Sequence, residues 1–108
     1  MNPTICEAIR ARKLLMFAYA DLMRIVEPHL YGVNAAGHEV LSAWLRPGLS
    51  RADPGGWWRT YRVDEISALR LLDESFDAPR EGYNPNDARM VRVHCGIERE
   101  EGDTMSEE

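Results

Sequence analysis

Arginines interleaved with aromatic rings are the groups in this chain best suited to chemistry. They concentrate in Trp57-Trp58-Arg59-Thr60-Tyr61-Arg62-Val63-Asp64-Glu65-Ile66. A guanidinium binds a carboxylate or phosphate through two parallel N–H bonds, and an indole offers a face on which a base stacks. Aromatic and β-branched residues at this density predict a strand. With a period of two, Arg59, Tyr61 and Val63 share one face, and Trp58, Thr60 and Arg62 share the other. The first face carries the core candidates with Arg59 at the rim. The second is amphipathic and is the candidate binding face. An ordinary half-exposed strand with arginines for solubility reads equally well from the pattern.

The neighbouring elements must position these groups. Thr4 followed by Glu7 matches a capping box, and Ile5, Ala8, Ile9, Ala11 and Leu15 recur at helical spacing, so a short helix opens the chain. The period then changes. Lys13 to Tyr19 reads as a first strand with Leu15, Phe17 and Tyr19 inward, followed by a tight turn at Asp21-Leu22 that lacks glycine. Arg24 to Tyr31 is a second strand in which Pro28 requires an edge or a bulge. Asn34 to Gly37 is a turn, and Glu39 to Arg46 is a third strand with Leu41, Ala43 and Leu45 in the core. Pro47 to Gly56 is a loop. Trp57 onward forms the fourth strand and about Ile66 to Leu72 the fifth.

Five short strands after one helix predict a mainly β fold, a small, strongly bent antiparallel barrel. Pro79, Gly82, Asn84 and Pro85 make a turn-rich link. Met90 to Cys95 then reads as a sixth strand, which either closes the barrel edge or adds to a partner's sheet. Antiparallel pairing of the third and fourth strands would put Ser42, Trp44 and Arg46 beside Trp58, Thr60 and Arg62. The alternative is that Trp44 and Trp58 pack under the N-terminal helix or the C-terminal segment, with the arginines paired to Asp64 and Glu65.

The chain has 108 residues, enough for one core. Its net charge of −5 belongs to residues 98–108, where six acids face Arg99 alone. Residues 1–97 are therefore neutral, and an acidic, disordered tail is expected. Twelve of the thirteen basic residues are arginine, a bias that favours bidentate anion recognition and that a GC-rich genome would also produce. Cys6 and Cys95 have no zinc-like spacing, and only a Cys–His nucleophilic pair formed across space stays open. No nucleophile elbow, phosphate-binding loop or dinucleotide fingerprint is present, so neither an enzyme nor a cofactor is expected. The first apolar run is too short for a signal peptide or membrane span, which predicts a cytoplasmic protein with no membrane partner.

Several segments, in order, resemble the WYL domain: Ala8-Ile9-Arg10, Leu15-Met16-Phe17-Ala18-Tyr19, Arg24-Ile25-Val26-Glu27-Pro28, Val40-Leu41-Ser42-Ala43 and Trp58 to Ile66. The resemblance covers residues 5–77, and Arg80 with Gly82-Tyr83-Asn84-Pro85 continues a pattern of short stand-alone members. It implies an Sm-like barrel over residues 1–77, with an extension at 78–97 and the tail at 98–108. Such domains serve as ligand-sensing parts of bacterial regulators, including those near phage-defence genes. They are thought to take nucleotides or single-stranded nucleic acid through arginines and aromatic rings.

Carried onto this chain, the resemblance implicates Arg24, Arg59 and Arg62. The strand faces add Ser42, Trp44, Arg46 and Trp58, completing the expected ligand-binding set. The chain departs from the family at Glu39-Val40-Leu41, where the naming aromatics are absent, and at Glu65, where an arginine is common. The dozen residues before the first strand leave no room for the usual helix-turn-helix. Two readings follow: a module binding a nucleotide-like anion or short single strand, or an interaction protein that forms a homodimer or docks on a larger partner. Hydrolysis would have to rest on Asp64-Glu65 or Asp73-Glu74, both of which read as strand-end turns.

Overall fold

In the computed structural model, which describes residues 1–49 and 51–100, helix α1 spans Pro3–Ala11. Its cap is Asn2 rather than Thr4: the Asn2 side chain accepts from the Thr4 and Ile5 amides at 3.0 and 3.2 Å. Pro3 occupies the first turn, where its missing N–H costs nothing. Ile5, Cys6, Ala8 and Ile9 form the buried stripe.

Among the described residues seven strands follow: β1 (Lys13–Tyr19), β2 (Leu22–Asn34), β3 (Glu39–Leu45), β4 (Trp57–Arg62), β5 (Ser67–Ser75), β6 (Met90–Gly96) and β7 (Arg99–Glu100). A 3₁₀ turn at Val63–Glu65 ends the aromatic run. All pairings are antiparallel, in the order β4-β3-β2-β1-β5. Among the described residues β4 and β5 are not paired with each other, so the sheet is open where a closed barrel was expected. β4 instead reaches β1 through a side chain, with the Arg62 amide donating to the Tyr19 hydroxyl at 3.1 Å.

β2 is the hub, because one of its edges serves two partners. Leu22–Val26 pairs with β1, and Leu30–Asn34 pairs with β6. β3 takes the opposite edge. Pro28 lies between the two partner segments, where no ladder donor is required, and a register shift against β3 falls between Pro28 and Leu30. Its expected edge or bulge is therefore both. β6 pairs within the chain, and β7 extends it into the first residues of the stretch expected as a tail. Residues 101–108 lie outside the described residues.

The core gathers Leu14, Leu15, Phe17, Val26, Tyr31, Leu41, Ala43, Leu45 and Tyr61 with the stripe of α1. Phe17, Tyr19 and Tyr61 meet edge to face, with centroids 4.8–6.5 Å apart. Cys6 and Cys95 are joined in a buried disulfide, Cα atoms 5.8 Å apart, which ties α1 to β6. The bridge removes both thiols from any Cys–His pair. Disulfides persist mainly in oxidising compartments, a preference that runs against the cytoplasmic expectation. Among the described residues no helix is long and apolar enough to cross a membrane.

Candidate functional site

The β3–β4 ladder sets Ser42 opposite Thr60 and Trp44 opposite Trp58. These four side chains share one face. Leu41, Ala43 and Tyr61 are buried on the other, as the alternation predicts. The tryptophan face is roofed by the link between β5 and β6. Arg80 lies 3.8 Å over the Trp44 ring, and Trp58 Nε1 donates to the Glu81 carbonyl at 3.0 Å. Tyr83 stands 6.5 Å from Trp58 with the rings 22° apart. Gly82 permits this approach: its φ is +94°, and a Cβ there would come within 3.1 Å of Trp58 Nε1. A cleft of about 280 Å³ stays open, lined by Ser42, Trp58, Arg59, Thr60, Tyr83 and Arg89 among others.

Two carboxylates organise the arginines. Glu27, on β2 and fully buried, accepts from Arg80 through two bonds of 2.8 Å and from Arg46 Nε at 2.6 Å. Burial pushes the Glu27 carboxyl up, but the bonds and charges of Arg80 and Arg46 outweigh it and hold the group below the usual carboxylate range. Beside it, His29 Nε2 accepts the Arg80 amide at 3.0 Å, which leaves Nδ1 to donate to the Glu27 carbonyl at 2.8 Å. The imidazole is thus held neutral, and burial lowers its pKa. Phe76 stacks on it at 5.4 Å, and Trp58 meets it edge-on at 4.6 Å.

The second centre is Asp53, in the loop between β3 and β4. Arg59 grips its carboxylate through Nη2 at 2.6 Å and Nε at 3.3 Å, while Arg24 Nη1 takes Oδ2. Arg24 comes from β2, and its second nitrogen donates to the Tyr19 carbonyl at 3.2 Å. The bond from Arg59 holds the Asp53 carboxyl below its ordinary pKa; burial opposes this and Arg24 adds to it.

The expected binding residues therefore divide. Ser42, Trp58 and Arg59 line the cleft, and Arg24 joins Arg59 through Asp53. Trp44 and Arg46 belong to the Glu27 centre. Arg62 stands apart, paired with Asp64 at 2.7 Å and Glu65 at 3.7 Å. Sequence reasoning passed over Glu27, Asp53, Arg80 and Tyr83 as site residues. Arg80 and Tyr83 were visible only in the family-like pattern of the link, Glu27 looked like a strand position, and Asp53 looked like loop. Among the described residues no group of three His, Cys, Asp or Glu side chains could hold a metal ion.

Compared with family models, curated proteins and solved structures, the chain has no match in any of the three.

Proposed function

We propose that this chain is a ligand-binding, regulatory module of the WYL kind, on an Sm-like scaffold, that takes a nucleotide-like anion rather than catalysing a reaction. The observation that carries the reading is the place of Arg59, which lines the cleft with Trp58 and Tyr83 and shares an anion with Arg24. An aromatic wall beside a two-arginine fork suits a base and its phosphate. A volume of about 280 Å³ lies at the lower edge of small-molecule sites and suits a mononucleotide or one nucleotide of a single strand. Absorbance at 260 against 280 nm and native mass spectrometry of the purified protein test for a retained ligand. Titration with adenosine 5′-monophosphate should show salt-sensitive binding that is lost in Arg59→Ala and weakened in Trp58→Ala. Affinity unchanged in both variants would remove the site.

One observation favours an interaction protein instead. Trp57 is 65% exposed on β4, the last strand of the sheet order. Exposed indoles on edge strands anchor partners. A mass that rises with concentration and reverts in Trp57→Lys would support this second reading, whereas a strict monomer would exclude self-association.

A further inference from the structure

We infer that Asp53 is a built-in occupant of an anion site formed by Arg24 and Arg59, and that the loop carrying it is a latch opened when a phosphate takes its place. The inference rests on the anion-binding reading above and adds how that site is regulated.

The first ground is unfinished chemistry. Two guanidinium groups share one carboxylate, so the centre keeps a net positive charge. Arg24 is only 7% exposed, yet its Nε makes no hydrogen bond of good geometry among the described residues, and the buried Tyr61 hydroxyl beside it interacts only with the Arg24 guanidinium. A buried donor short of an acceptor is destabilising, so a purely structural ion pair is expected to satisfy it. The Asp53 carboxylate accepts from both guanidinium groups, Oδ2 from Arg24 and Arg59 and Oδ1 from Arg59. A phosphate monoester presents three terminal oxygens and carries roughly two negative charges, which match the two guanidinium groups once Asp53 has left them. The Tyr61 hydroxyl keeps its proton to donate, since burial raises its pKa to about 12.

The second ground is how Asp53 is presented. No ladder bonds fix it, because residues 46–56 lie between β3 and β4. The loop closes on its own base: Gly48 N donates to the Pro54 carbonyl at 3.2 Å and Gly56 N to the Leu45 carbonyl at 2.8 Å. At Gly55, with φ +78°, a Cβ would come within 2.6 Å of the Arg46 carbonyl, so the return leg is pinned tightly. Arg51, Ala52 and Pro54 around the aspartate are exposed. The base is fixed by these bonds, and beyond it Asp53 is held by side-chain bonds from Arg24 and Arg59 alone rather than by a strand ladder.

The test titrates inorganic phosphate into the wild type, Asp53→Asn and Asp53→Asn/Arg59→Gln, with circular dichroism to confirm that each is folded. Asp53→Asn should bind phosphate at least about tenfold more tightly than the wild type, and the gain should vanish in the double variant. Adenosine 5′-monophosphate should also speed tryptic cleavage after Arg51 in the wild type, a readout that needs no variant. Equal phosphate affinity in the wild type and Asp53→Asn, or cleavage unchanged or slowed by the nucleotide, would overturn the latch. If the nucleotide still bound in a Trp58-dependent way, the binding reading would survive that loss. Absence of phosphate and nucleotide binding in all three proteins would sink both.

Discussion

Glu27 and Asp53 each hold two arginines, but they are built for opposite ends. Glu27 is carried by β2 between its partners, fully buried, with Arg80 itself fixed over Trp44 and through its amide to His29. Asp53 hangs from a glycine-flanked loop and leaves Arg24 Nε without a well-formed bond. Burial and completeness mark the first as a lock on the fold. Incompleteness and a movable support mark the second as a place where one anion can be exchanged for another. Similar ion pairs on a static inventory thus predict different behaviour once the supporting backbone is considered.

The largest effect should come from the disulfide, which supplies a control for the comparison. Closing a loop across a separation of 89 residues contributes about 4.6 kcal/mol in the chain-entropy model. Reduction, or Cys6→Ala with Cys95→Ala, should lower the denaturation midpoint while leaving phosphate affinity as it was. A parallel fall in affinity would mean that binding merely follows global stability, and the distinction between the centres would fail.

Glu27→Gln comes next. Removing the charge strands two arginines. Both retain some contact with water, which places the expected loss near the low end of the range for broken buried pairs, about 3 kcal/mol. Phosphate should not restore stability to this variant. Its pH profile supplies a second check. Glu27 has a lowered pKa in the fold, so its stabilisation is present above its unfolded value near 4.5 and is lost as pH falls through the folded value. His29 adds an earlier step: its imidazole is held neutral, so stability begins to fall below its ordinary value of 6.5. Urea midpoints between pH 7 and 3 should show both steps in the wild type, the lower one shallower in Glu27→Gln.

Asp53→Asn should cost less, about 1–2 kcal/mol, because the asparagine can still accept from the arginines and Arg59 is half-exposed to water or an anion. Added phosphate should raise its melting temperature by several degrees. A response from Glu27→Gln and none from Asp53→Asn would reverse the assignment of lock and latch.

Much of this frame was legible from residue order, and the reasons are local. Alternation placed Leu41, Ala43 and Tyr61 in the core, and Pro28 announced the break in β2. Long-range closure was not legible. The pairing of Cys6 with Cys95 depends on β6 returning to the second half of β2, and no spacing rule encodes that return. Nor does sequence reveal which carboxylate an arginine will find. Arg62 took its neighbours Asp64 and Glu65, but Arg46 found Glu27 across the β2–β3 pair and Arg59 found a loop residue. Barrel closure was expected from the number of short strands, their short connections and the family resemblance. The sheet stays open because β5 presents mostly exposed residues, including Ser67, Arg70, Asp73 and Glu74, and ends the sheet at β1.

The smallest effect bears on the half of the Asp53 centre that should not move. Ala20 and Asp21 link β1 to β2, both in left-handed conformation at φ +52° and +64°, the turn that favours asparagine and glycine. Arg24 is anchored to this hairpin through the Tyr19 carbonyl, beside the turn. Replacing Ala20 with Asn and Asp21 with Gly should relieve backbone strain and raise stability by about 0.5–1 kcal/mol. If only the residues around Asp53 move when an anion enters, Arg24 already stands where it is needed, and this variant should bind phosphate no better than the wild type. A gain in affinity would show that the Arg24 platform is itself adjustable, and the latch would then include the hairpin as well as the loop.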